Sequence, residues 1–135
     1  MKKIIAFACM LISFSCSLPD DTEKTYVELL PIKNAIVPTE FQRGQIYDIF
    51  ITFERPSECH AFKDIYVKED SDGYFFAVMS TVFEANYPCQ PLTDVLEKSF
   101  TFKPGEQTMY VFKFWHGTNE QGEEDYLTFE IPVVD

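Results

Sequence analysis

From Tyr47 onward, apolar and polar residues alternate with a period of two. Tyr47, Ile49, Ile51 and Phe53 alternate with Asp48 and Thr52, and Phe50 interrupts the polar side. Phe100 and Phe102 stand among Ser99, Thr101 and Lys103, and Tyr110, Phe112 and Phe114 form a third row. Leu127, Phe129, Ile131 and Val133 form a fourth, with Thr128 and Glu130 between them. Successive side chains of a strand point to opposite faces, so each row predicts a strand with one buried face. β-Branched and aromatic residues fill these runs, as a half-buried pleated surface favours. Only Pro91–Glu97 offers a helical turn.

The breaks between runs carry turn chemistry. Asp72-Gly73 and Pro104-Gly105 are turn dipeptides, and Pro38, Pro56 and Pro88 fall between runs. Pro31 and Pro132 sit inside strand-like runs, which places those runs at sheet edges because proline lacks a ladder donor. Seven strands result: A (Tyr26–Val37, broken near Pro31), B (Gln45–Glu54), C (Phe62–Glu69), D (Tyr74–Ala85), E (Lys98–Lys103), F (Thr108–Trp115) and G (Tyr126–Val134). The expected fold class is all-β, a seven-stranded antiparallel sandwich.

At 135 residues the chain is the size of one domain, and 46% hydrophobic content is enough to build a core. Its net charge of −11 disfavours nucleic acid, since an acidic surface repels phosphates. Gly105-Glu106-Gln107-Thr108-Met109-Tyr110-Val111-Phe112 resembles the tyrosine corner at the start of strand F of immunoglobulin-like domains, with Tyr110 as the tyrosine. That resemblance implies an immunoglobulin-like sandwich. The chain departs from antibody domains in having no B–F cysteine pair and no tryptophan in strand C.

The N-terminus has a separate character. Met1-Lys2-Lys3 is a positive start, followed by an uncharged, mostly apolar run from Ile4 to Phe14. The run is too short for a membrane-spanning helix, which needs about 20 apolar residues, and fits the core of an export signal. Ser13-Phe14-Ser15 then leads into Cys16. A cysteine in this place resembles the lipobox of bacterial lipoproteins, which implies cleavage before Cys16 and its acylation. The alternative is an ordinary signal cut after Ser15, leaving Cys16 as a thiol. Asp20-Asp21 beyond it resembles the acidic export signal of surface lipoproteins in the Bacteroidota. The whole chain resembles the small immunoglobulin-like lipoproteins of that group, whose activity is not established. The division implied is residues 1–15 as lipoprotein signal peptide, 16–25 as acidic tether and 26–135 as the sandwich domain. The implied location is the outer membrane, on its periplasmic or surface face, with palmitate as one acyl group and the membrane as a partner through the lipid.

With Cys9 removed and Cys16 acylated, Cys59 and Cys89 remain, and an oxidising compartment predicts that they form a disulfide. A zinc site from Cys59, His60, Cys89 and His116 lacks the usual ligand spacing. An up-and-down strand order brings the B–C loop (Arg55–His60), the D–E loop (Asn86–Pro91) and the F–G loop (His116–Asp125) to one end of the sandwich. That end gathers a candidate binding set: His60, Tyr87, Trp115, His116, Glu123 and Asp125. The acids of the F–G loop lack the spacing of a calcium loop, and Asp70-Ser71-Asp72-Gly73, calcium-like in composition, is more simply a hairpin turn in the C–D connection at the opposite end. No cofactor is expected. No G-x-S-x-G, H-E-x-x-H or phosphate-binding glycine loop occurs, so the expectation is a protein that is not an enzyme. Its domain is expected to serve binding or assembly with a protein partner in the envelope. A small-ligand role at the loop end, for glycan or metal, is the alternative.

Overall fold

The computed structural model describes residues 24–135. The export signal, Cys16 and most of the tether lie outside the described residues. The described chain is all strand and connection, arranged as two sheets. Nine strands are present among the described residues: β1 (Thr25–Leu30), β2 (Ile32–Ile36), β3 (Phe41–Gln42), β4 (Tyr47–Ser57), β5 (His60–Asp70), β6 (Gly73–Phe83), β7 (Pro91–Phe102), β8 (Met109–Thr118) and β9 (Glu124–Val134).

The count differs from seven for two physical reasons. Pro31 interrupts the first run and lets the chain change sheets, so β1 pairs antiparallel with β6 while β2 pairs antiparallel with β4. Phe41-Gln42 adds a short strand, parallel to the end of β9, because the fully buried Phe41 ring needs the core. The smaller sheet has the order β2–β4–β7; the larger holds β1, β6, β8, β9 and β3 in that order, with β5 also on β6.

Pro91–Glu97 is strand, not a helical turn. β4 runs on to Ser57 and offers its backbone to β7 as far as the pair Ser57–Pro91, so ladder bonds outweigh the local helical spacing. The loops contract for the same reason. The β4–β5 turn is Glu58-Cys59, and the β8–β9 turn is Asn119 to Glu123. The order of neighbours also differs from antibody-type sandwiches, where strand C lies beside F. Here β6 stands between β5 and β8 and runs parallel to β8.

The core is largely aromatic. Phe112 is fully buried and packs against Phe41, Tyr74, Phe76, Phe102 and Phe114, mostly in edge-on or tilted contacts. Such geometries suit the ring quadrupole. Ile49, Ile51 and Phe53 supply the facing layer from β4, each buried as their alternation requires. Tyr110 is buried, and its hydroxyl accepts the Gly105 backbone N–H at 2.6 Å. Arg43 closes the same end, donating to Asp135 at 2.7 Å and to the Gly105 carbonyl at 2.6 Å. The Asp135 carboxylate raises the Arg43 pKa further above its ordinary value.

Candidate functional site

The strand directions put the β4–β5, β6–β7 and β8–β9 connections at one end. β4 ends where β7 begins, β5 begins opposite the end of β6, and β8 runs parallel to β6. The disulfide Cys59–Cys89 joins the first two connections, with Cα atoms 5.7 Å apart. Glu58 N–H to the Gln90 carbonyl, at 3.0 Å, reinforces the join. Lys24 lies at this same end, its carbonyl accepting the Glu84 N–H at 2.9 Å.

The side chains expected to form one binding end are divided among separate tasks. His60 donates from Nε2 to Glu28 Oε2 at 2.7 Å, and its Nδ1 lies 2.7 Å from Ser57 Oγ. A carboxylate only accepts, so for a neutral ring Nδ1 is the acceptor and the Ser57 hydroxyl donates to it. Ser57 Oγ also accepts the Cys59 backbone N–H at 3.2 Å. This chain fastens the β4–β5 turn to β1. His116 Nδ1 donates to the Ile32 carbonyl at 2.8 Å, where β8 bulges between Trp115 and Gly117. Gly117 has φ +111°, a conformation that a side chain would strain. Tyr87 stands exposed in the β6–β7 connection. Glu123 donates its backbone N–H to the Asn119 side chain at 2.9 Å, and Asp125 lies opposite Gly117 in the ladder. Among the described residues no group of three or more His, Cys, Asp or Glu could hold a metal ion.

Asp70–Gly73 is the β5–β6 hairpin turn, at the end opposite the loops. Asp70 there accepts the Asp72 backbone N–H at 2.8 Å.

Of that set, Trp115 lines a concave site, and the site lies on a sheet face. β1 and β8 share one edge of β6. β8 pairs with it at Tyr74–Phe76, and β1 from Val78 to Phe83. Ala77, itself buried, falls at the change of partner, and its small side chain lines the seam. Around it lies a groove of about 310 Å³, lined by Leu29, Tyr66, Ala77, Trp115, Glu124 and Tyr126. Tyr66, Tyr126 and Leu29 are 38%, 40% and 41% exposed. Trp115 Nε1 donates to Glu124 Oε2, and Thr118 Oγ1 donates to Oε1 of the same carboxylate at 3.4 Å. Both bonds orient Glu124 at the groove. Just beyond, Phe75 meets Tyr126 edge-on at 5.6 Å, and the Lys113 ammonium sits 5.3 Å above the Phe75 ring.

Groove and histidine chain occupy opposite faces of the larger sheet. Tyr66 pairs with Ala77 and Leu29 with Met79, whereas Glu28 pairs with Ser80 and His60 with Val82, on the core side. Leu29, Tyr66, Ala77, Glu124 and Tyr126 were not among the residues expected at a site. The signal for them is the run Tyr74–Val78, which is apolar on both faces of its strand.

No protein-family model, curated protein or solved structure matches the chain.

Proposed function

We propose that this chain is a lipid-anchored cell-envelope protein whose immunoglobulin-like domain is a non-catalytic binding module, with the aromatic groove beside Ala77 as its binding site. The groove carries the reading. Three aromatic side chains and one oriented carboxylate converge on a concave patch at an exposed sheet face, which is the usual make-up of a small-ligand site. The β4–β7 and β8–β9 pairings match the B–E and F–G neighbours of an immunoglobulin-like sandwich, and the Tyr110–Gly105 bond supports that kinship. The place of β6 makes it a divergent one.

Two observations favour the sheet face over the loop end and over strand edges. An anchor at Cys16 lies eight residues before Lys24, a reach of less than about 30 Å, and with Lys24 at the loop end such an anchor favours that end as the one nearer the membrane. The free edge of β5 carries Lys63, Asp64, Lys68, Glu69 and Asp70 with a bulge between Phe62 and Asp64. Charges and bulges of this kind discourage strand addition. The Ser57–His60–Glu28 chain serves as a clamp on the turn, because it lies on the opposite face from the groove.

Two measurements test the reading. A small-molecule fragment screen by NMR is expected to shift the amides of Leu29, Ala77 and Tyr126, and Ala77→Leu, which fills the seam, abolishes those shifts. Hits gathered instead around Tyr87 and His60 would sink the assignment. For the anchor, a palmitate analogue labels wild type and not Cys16→Ala; persistent labelling of the variant refutes lipidation at Cys16.

A further inference from the structure

We infer that the groove takes a small methylated ammonium cation, a choline-like head without an attached phosphate. This rests on the groove being the binding site and adds the chemistry of its guest. Tyr66, Trp115 and Tyr126 line the groove with aromatic rings, and the Glu124 carboxylate stands among them. Aromatic faces attract cations through their quadrupole, most strongly where water is displaced. The same sheet face already hosts one such contact, the Lys113 ammonium over Phe75. A chain of net charge −11 adds a field of the same sign as the carboxylate.

The other guest chemistries fit less well. An anion meets Glu124, with Glu123 and Asp125 beside it in sequence. That repulsion extends to a phosphocholine head, whose phosphate would lie next to the Glu124 carboxylate. A neutral sugar brings many hydroxyls to a mostly apolar lining, where each buried hydroxyl without a partner is costly. A primary ammonium brings three N–H donors, and with Trp115 and Thr118 bonded to it the Glu124 carboxylate has only part of its acceptor capacity left. A neutral hydrocarbon would cover Glu124 without compensating its charge. A methylated ammonium carries no N–H donors and spreads its charge over methyl groups. It therefore needs only π faces and a nearby negative potential.

Trp115 is the chain's single tryptophan and lines the groove, so its fluorescence reports occupancy. The full chain is titrated with choline chloride, with its neutral carbon isostere 3,3-dimethylbutanol, with phosphocholine and with phosphatidylcholine vesicles. Sodium chloride holds the ionic strength fixed. Choline is expected to change the emission saturably and to bind at least about tenfold more tightly than the isostere, one decade being about 1.4 kcal/mol. Phosphocholine and vesicles are expected to bind more weakly than choline. Glu124→Gln narrows the gap between choline and the isostere severalfold, and Ala77→Leu, which retains the reporter, abolishes binding of both. Equal affinity for choline and the isostere overturns the cation inference while leaving the groove a binding site. Tighter binding of phosphocholine or vesicles overturns the claim of a head without phosphate. If choline does not bind while NMR fragments still occupy the groove, the cation inference alone falls; if fragments avoid the groove too, the site itself falls with it.

Discussion

Removal of the Cys59–Cys89 bridge gives a direct test of how the loop end is held. The bridge spans a sequence separation of 30, and closing a loop of that length removes chain entropy from the unfolded state equivalent to about 3.7 kcal/mol. The native connections do not depend on it alone. Glu58 N–H still reaches the Gln90 carbonyl at 3.0 Å, Phe83 N–H the Cys59 carbonyl at 2.9 Å, and β4 still pairs with β7 out to Ser57–Pro91. Cys59 is 5% exposed, and replacing it with alanine removes a single sulfur atom, so the void left is small. The folded state should therefore survive in the Cys59→Ala/Cys89→Ala variant, and the loss should come from a freer unfolded chain. Against a total stability of about 5–15 kcal/mol for a domain of this kind, that is a quarter or more. Urea unfolding followed by far-UV circular dichroism measures it, with Cys9 and Cys16 as serine in both proteins to prevent mispairing. The expected result is a loss of about 3–4 kcal/mol with a steeper denaturant dependence, because the unlinked chain exposes more surface on unfolding. A loss below about 1 kcal/mol with an unchanged slope would refute the reasoning, since it would mean the unfolded chain already keeps these ends together.

Gly73 has φ +126° in the β5–β6 turn, and a Cβ there would run into the Val111 carbonyl oxygen and come within 3.0 Å of the Val111 side chain. Gly73→Ala is expected to cost about 2 kcal/mol or more in a urea titration; a neutral effect would show that the β5–β6 turn can move off β8. Burial raises the Tyr74 pKa above its ordinary 10.0, and Glu69 raises it further. The folded state thus favours the neutral phenol, so this contribution is complete below pH 10.0 and is lost as pH rises through the folded value. Urea midpoints above pH 10.0 should fall less steeply for Tyr74→Phe than for wild type, and parallel declines would contradict that account.

How much of this was legible in the sequence follows from what alternation encodes. A period of two fixes which side chains share a face, so burial of Ile49, Ile51, Phe53, Phe112 and Phe114 was readable from spacing alone. It does not fix which strand lies beside which. The three neighbours of β6 are set by backbone pairing across the sheet, with Pro31 redirecting the chain between β1 and β2. For that reason the loop end was foreseen and the groove was not. The three connections meet in any up-and-down order, whereas the groove exists only because β1 and β8 divide one edge of β6 at Ala77.

A mark of it was nevertheless present. Tyr74, Phe75, Phe76, Ala77 and Val78 form the run where alternation fails, with apolar residues on the solvent side as well. A strand of that composition wants cover on both faces. The core covers one. On the other, Leu29, Tyr66, Trp115 and Tyr126 replace a packing layer around Ala77, which is 4% exposed. The run breaks the local rule without a core to justify it, and departures of that kind concentrate at functional sites. The irregular stretch of the sequence therefore runs under the proposed binding site and meets it at Ala77.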